Sequence, residues 1–116
     1  MGIKEDLEKI LSELNNVNDI TGYALVRDDG LPLITNLKNE IDLNNMCSSC
    51  ASINQNTKSN FTNFDNVIIE YSEGNNVIVK KIGDETLLFS ITSKNANLSN
   101  VIQKMKSISK QLEEIL

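Results

Sequence analysis

Cys47 and Cys50, in the run MCSSC, are the residues of this chain whose spacing could do chemistry. A CxxC pair supplies half of a tetrahedral zinc site, but no other cysteine and no histidine exists to complete it. Four thiolates drawn from two subunits would be needed, against the usual ligand spacing. A redox dithiol belongs where a strand runs into a helix, whereas both cysteines fall inside a predicted helix. They read as small apolar core residues. Arg27 is the one arginine. An arginine can neutralise charge in phosphoryl transfer, but Asp28 and Asp29 follow at once, and an exposed ion pair is the plainer reading. Without histidine there is no His-dependent nucleophile triad and no usual proton shuttle. Neither GxxxxGK[ST] nor GxGxxG occurs. The residues therefore indicate no catalytic group, no cofactor site and no metal site.

Composition narrows the class further. The 116 residues are 40% hydrophobic and 23% charged, as in a folded single domain that needs no disulfide or metal. A net charge of −5 argues against nucleic acid as a partner and against docking on anionic lipid. No apolar run approaches the about 18 residues that span a bilayer. The opening MGIKEDLEKI has acids where a signal peptide has basic and then apolar residues, and Asp6 stands where myristoylation wants Ser or Thr. The expectation is a cytoplasmic protein.

Hydrophobic periodicity predicts the elements. Ile3, Leu7, Ile10, Leu11 and Leu14 form one helical stripe over residues 3 to 14. Thr21 to Arg27 and Leu31 to Thr35 read as strands joined by Asp28-Asp29-Gly30, with glycine at the left-handed position. Pro32 cannot donate to a ladder, which places its strand at a sheet edge. Gly22, Ala24 and Val26 share one face, small enough for a helix to approach closely. A helix capped by Asn39 runs toward Asn60, with Leu43, Met46, Cys47, Cys50, Ala51 and Ile53 on its apolar side. Strands follow at Val67 to Tyr71, Val77 to Ile82 and Thr86 to Thr92. They are apolar on both faces, so both faces of the sheet should be covered. A last helix covers about Asn97 to Leu116, with Leu98, Val101, Ile102, Met105, Ile108, Leu112 and Ile115 inward.

The helix from Asn39 is unlike the others. Between Asp42 and Lys58 it has no charged residue, and Asn45, Ser48, Ser49, Ser52, Gln55, Asn56 and Ser59 form one polar, uncharged face. Interface cores shed ions because desolvating them is costly, while hydroxyls and amides find partners. The face is read as partner-contacting, against the alternative that an asparagine-rich chain writes neutral polar faces anyway. The stretch VIIEY adds a second hint. If it forms the edge opposite Pro32, pairing with its own copy about a two-fold axis would protect it from aggregation; an interior strand would need no such protection.

The element order, with GYALVRDDGLPL in its place, resembles the roadblock family, named for a dynein light chain. Gly22, Leu25, Val26, Asp29, Gly30, Leu31 and Pro32 carry the likeness, which extends over nearly the whole chain. The resemblance implies an α/β (α+β) fold of the roadblock/profilin-like kind. Its order would be α-β-β-α-β-β-β-α, with a five-stranded antiparallel sheet sandwiched between helix layers. It also implies homodimers through the strand Val67 to Tyr71 and the uncharged helix, so that Met46, Ile53, Val67, Ile69 and Tyr71 would line the dimer interface. The expected function is a non-catalytic regulator or adaptor of a small Ras-like GTPase. The GTPase would sit on a platform of Asn45, Ser48, Ser49, Ser52, Gln55 and Asn56. A structural subunit of a larger complex, without effect on GTP hydrolysis, is the alternative. A small-molecule sensor is disfavoured, since three Phe, two Tyr and no Trp leave little aromatic lining for a pocket.

Overall fold

The structure is a computed structural model that describes residues 2–37, 66–70, 72, 74–83 and 85–116. It begins with helix α1, Ile3–Leu11, whose first turn holds Glu5 and Asp6 and whose last holds Lys9. Both placements suit the helix dipole. The chain then tightens into a 3-10 turn over Ser12–Asn16, which points Leu14 into the same core as Leu7 and Leu11. Ile3 departs from the expected stripe. It is 62% exposed, because packing begins one turn later, at Leu7.

Five strands follow: β1 Ile20–Arg27, β2 Pro32–Asn36, β3 Asn66–Glu70, β4 Asn76–Ile82 and β5 Thr86–Thr92. Helix α2, Leu98–Ile115, closes the described chain, and the Asn97 side chain caps it by accepting from the Asn100 amide at 3.3 Å. The strands form one antiparallel sheet in the order β2-β1-β5-β4-β3. The helix expected over residues 39–60 lies outside the described residues.

Burial explains that order. Every residue of β5 is buried, as a central strand with apolar faces on both sides requires. On one face Leu25, Ile78, Ile82 and Leu88 pack with Leu7, Leu11 and Leu14 and with Val101, Met105, Ile108 and Leu112 of α2. On the other, Ala24, Val26, Val77, Val79, Leu87, Phe89 and Ile91 form a second buried cluster. Each large side chain so buried contributes about 1.5–3 kcal/mol relative to exposure. The expectation of a sheet shielded on both faces holds.

The hairpin closes as its sequence requires. Gly30 has φ 97°, its amide donates to the Arg27 carbonyl at 2.9 Å, and the Arg27 amide donates to Leu31 at 2.8 Å. The register slips between Leu25 and Val26, a bulge that lets three residues turn the chain. Pro32 sits in an edge strand, as its missing N–H demands. At Gly22 the described residues show a close approach of their own, while the helix expected over that face lies outside them. A Cβ there would stand 3.0 Å from Leu37 Cδ2 and 3.2 Å from the Asn36 carbonyl, so it is the chain leaving β2 that needs the space.

Candidate self-association edge and hairpin tip

Strand β3 carries the part of the expected interface that falls within the described residues. Val67 pairs with Val79 and Ile69 with Val77, so both point to the face of Phe89. They are half-buried, packed against that cluster from its rim. The opposite face of the strand carries Asn66, Ile68 and Glu70, across from Lys80, Ile78 and Asn76. Ile78 is fully buried there, yet Ile68, one strand further out, is 46% exposed. The two described helices cover β1, β5 and β4 and stop short of the edge. Among the described residues β3 pairs only with β4, so its outer row of N–H and C=O groups faces no strand. The Asn66 side-chain oxygen is buried and finds no hydrogen-bond partner.

Met46, Ile53 and Tyr71 of the expected dimer interface lie outside the described residues. So do all six residues of the expected partner face, Asn45, Ser48, Ser49, Ser52, Gln55 and Asn56, and the pair Cys47 and Cys50. Sequence reasoning overlooked Ile68. It was passed over for the inward-facing Val67 and Ile69, although a strand apolar on both faces must expose one of them when it stands at an edge.

At the far side of the sheet, Arg27 takes the plain role its neighbours suggest. Its Nε donates to Asp29 Oδ1 at 2.9 Å and its Nη2 donates to Asp29 Oδ2, a bidentate clasp across the turn. Asp29 Oδ1 also accepts from the Leu31 amide at 3.2 Å. The hydrogen bond and charge of Arg27 hold the Asp29 carboxyl below its ordinary pKa, and Asp29 in turn raises that of Arg27. Both side chains are about half exposed, at 48% and 53%. Two of the three guanidinium nitrogens are thus engaged within the hairpin itself.

A depression of about 400 Å³ lies between the β4–β5 turn and the end of α2, lined by Ile82, Gly83, Glu85, Thr86, Glu113 and Leu116. Among the described residues its side chains offer two carboxylates and one hydroxyl, without a thiol, amine or imidazole. Among the described residues no group of three or more Cys, Asp or Glu is placed to hold a metal ion. None of the described helices is long and apolar enough to cross a membrane.

With this geometry the sheet and its helices match known structures. The gliding protein MglB from Thermus thermophilus superposes with a TM-score of 0.86 at 17% identity, covering 99% of this chain and 91% of that one. A second MglB, in a tetrameric arrangement, gives 0.85 at 18% identity, with 99% and 90% covered. A Roadblock/LC7 domain from Streptomyces avermitilis gives 0.76 at 18%, with 89% and 91% covered. No family model matches the sequence, and no curated protein matches it. The chain thus has the roadblock fold that its hairpin and element order suggested, preserved at identities where little but the fold is shared.

Proposed function

We propose that this chain is a non-catalytic homodimeric regulator that binds a small Ras-like GTPase and biases its nucleotide cycle. The observation that supports the dimer is the apolar edge of β3, which among the described residues pairs on one side alone, with Ile68 46% exposed beside a buried Ile78. An edge of that kind invites pairing, and a second copy about a two-fold axis supplies it without leaving a new edge beside it. Val67, Ile69 and Tyr71 would line the contact together with Met46 and Ile53.

The GTPase partner follows from the roadblock resemblance and from the uncharged face of residues 43–57. Two copies of that face, through Asn45, Ser48, Ser49, Ser52, Gln55 and Asn56, would present neutral hydrogen-bonding groups that cost little to desolvate. The mechanism is conformational. A platform that fits one arrangement of the GTPase switch segments better than another shifts the population toward it. Nothing in this scheme asks the chain to supply a reacting group.

The test uses the Ras-like GTPase encoded nearest to this protein. The double variant Ser52→Glu and Asn56→Lys should weaken its binding on the order of a hundredfold, the cost of burying unpaired charge, while light scattering still reports a dimer. Unchanged binding retires the platform. Binding that leaves GTP hydrolysis and nucleotide release unaltered instead supports a structural subunit of a larger complex.

A further inference from the structure

The depression between the β4–β5 turn and the end of α2 takes no part in the function proposed above, yet its lining is left unsatisfied. Ile82 forms a buried apolar wall and Leu116, 51% exposed, an apolar rim. Thr86, the first residue of β5, also lines it and is 9% accessible. Among the described residues its hydroxyl makes no hydrogen bond, although a buried hydroxyl without a partner is costly. The two carboxylates of the lining, Glu85 and Glu113, are exposed. Neither takes part in an ion pair or side-chain hydrogen bond among the described residues.

The cations nearby do not supply the missing charge. Arg27 lies within the field of Glu85, but two of its nitrogens are held by Asp29. Lys110, about one turn before Glu113, makes no ion pair among the described residues, and the last turn of α2 holds no basic residue.

We infer that this depression is a docking site for a lysine side chain presented by a partner protein. A lysine ammonium has three N–H donors and no acceptor. The lining offers acceptors on three side chains from three elements: Glu85 in the turn, Thr86 on β5 and Glu113 on α2. The threonine hydroxyl can take an ammonium proton while turning its own hydrogen to a carboxylate. The apolar stem of the lysine lies along Ile82 and Leu116, with its charged head in the field of the acids.

Size and shape narrow the occupant. A volume of about 400 Å³ is near the lower end of the range for ligand sites, about 300–1,000 Å³, and suits one long side chain. Arginine presents a rigid fork that matches a single carboxylate, a poorer fit to acceptors spread over three elements. A hard metal ion takes more oxygen ligands than two carboxylates provide, and among the described residues no third acid joins them. A free amine would meet the acids but leave Leu116 in water. A lysine within a polypeptide brings flanking apolar atoms to cover it.

Magnetic resonance titration of the full, isotope-labelled chain provides the test, with a capped Leu-Lys-Leu tripeptide and n-butylamine as probes. The tripeptide should move the amide signals of Gly83, Thr86 and Leu116 and saturate, and n-butylamine should bind roughly tenfold more weakly for want of apolar contact. Glu85→Gln and Glu113→Gln should each weaken the tripeptide roughly fivefold, as one exposed ion pair lost would. Thr86→Val should do so by a similar factor, as one hydrogen bond lost would. The glutamate variants, both at exposed positions, decide the matter should Thr86→Val not fold. No shift with the tripeptide, equal binding of capped Leu-Gln-Leu, or unchanged affinity in both glutamate variants overturns the site. Binding of n-butylamine as tight as that of the tripeptide assigns the depression to a small amine and overturns the protein segment. None of these outcomes involves the β3 edge or residues 43–57, so the function proposed above stands or falls separately.

Discussion

At one edge of the sheet β2 pairs with β1 across a register slip, and its first residue is Pro32. At the other edge β3 has the same five-residue length, pairs with β4 without a slip, and contains no proline. Both edges expose a large apolar side chain: Leu33 is 38% accessible and Ile68 46%. Apolar exposure therefore does not separate them. The backbone does. A missing N–H and a bulge spoil β2 as a template for another strand, whereas β3 offers an uninterrupted row of donors and acceptors. An edge open to pairing is thus marked less by its side chains than by the regularity of the ladder behind them.

The largest effect should come from attacking the open edge. Ile68→Lys places a charge in the middle of β3 and should weaken the proposed dimer a hundredfold or more, on the order expected for an unpaired charge buried in an interface. Leu33→Lys, at nearly equal exposure, should leave it within about twofold, as for a surface substitution. Sedimentation velocity over a concentration series reads both. If Leu33→Lys proves the disruptive one, the assignment of the two edges is reversed.

A smaller effect tests the protected edge from the other direction. Pro32→Val restores an N–H to β2 and favours extended backbone. Light scattering should then detect slow, concentration-dependent growth of species larger than the dimer, with dimer affinity itself unchanged. Continued absence of larger species would mean that the bulge alone protects β2.

The smallest effect concerns the clasp at the tip of the β1–β2 hairpin. Asp29 titrates below its unfolded value, so its contribution to stability is present above the ordinary aspartate pKa of about 3.9 and is lost as pH falls through the folded value. Arg27, raised further, stays charged throughout. Urea midpoints should therefore drop less steeply below about pH 4 in Asp29→Asn than in the parent, the ordinary aspartate pKa marking the top of that window. At neutral pH the two should differ little, and less still in high salt, because both groups are exposed to solvent.

Much of this could be read from residues alone, for identifiable reasons. The extent of β5, Thr86–Thr92, agrees with the apolar run that turn residues bound on one side and polar residues on the other. The hairpin was legible because Asp-Gly chemistry and Pro32 act locally. So was the Arg27–Asp29 pair, two residues apart. What was missed concerns contacts between distant segments. Sequence gives no sign that Leu37, just past the end of β2, comes within 3.0 Å of where a Cβ on Gly22 would stand. Ile3 fits the helical stripe by spacing and lies outside the core, because periodicity cannot say where along the helix the packing partner begins. The uncharged face of residues 43–57 remains a reading of composition.

The sequence by itself determined the order of the described elements, the hairpin and its turn, and the apolar character of both sheet faces. Each of these depends on neighbours a few residues away. Only the tertiary structure decided that β5 stands at the centre and β3 at the rim, and with that which isoleucine of VIIEY is left in solvent. Alternation along a strand assigns a side chain to a face but is silent about the next strand over. That neighbour is chosen by hydrogen bonding and packing between segments far apart in the chain.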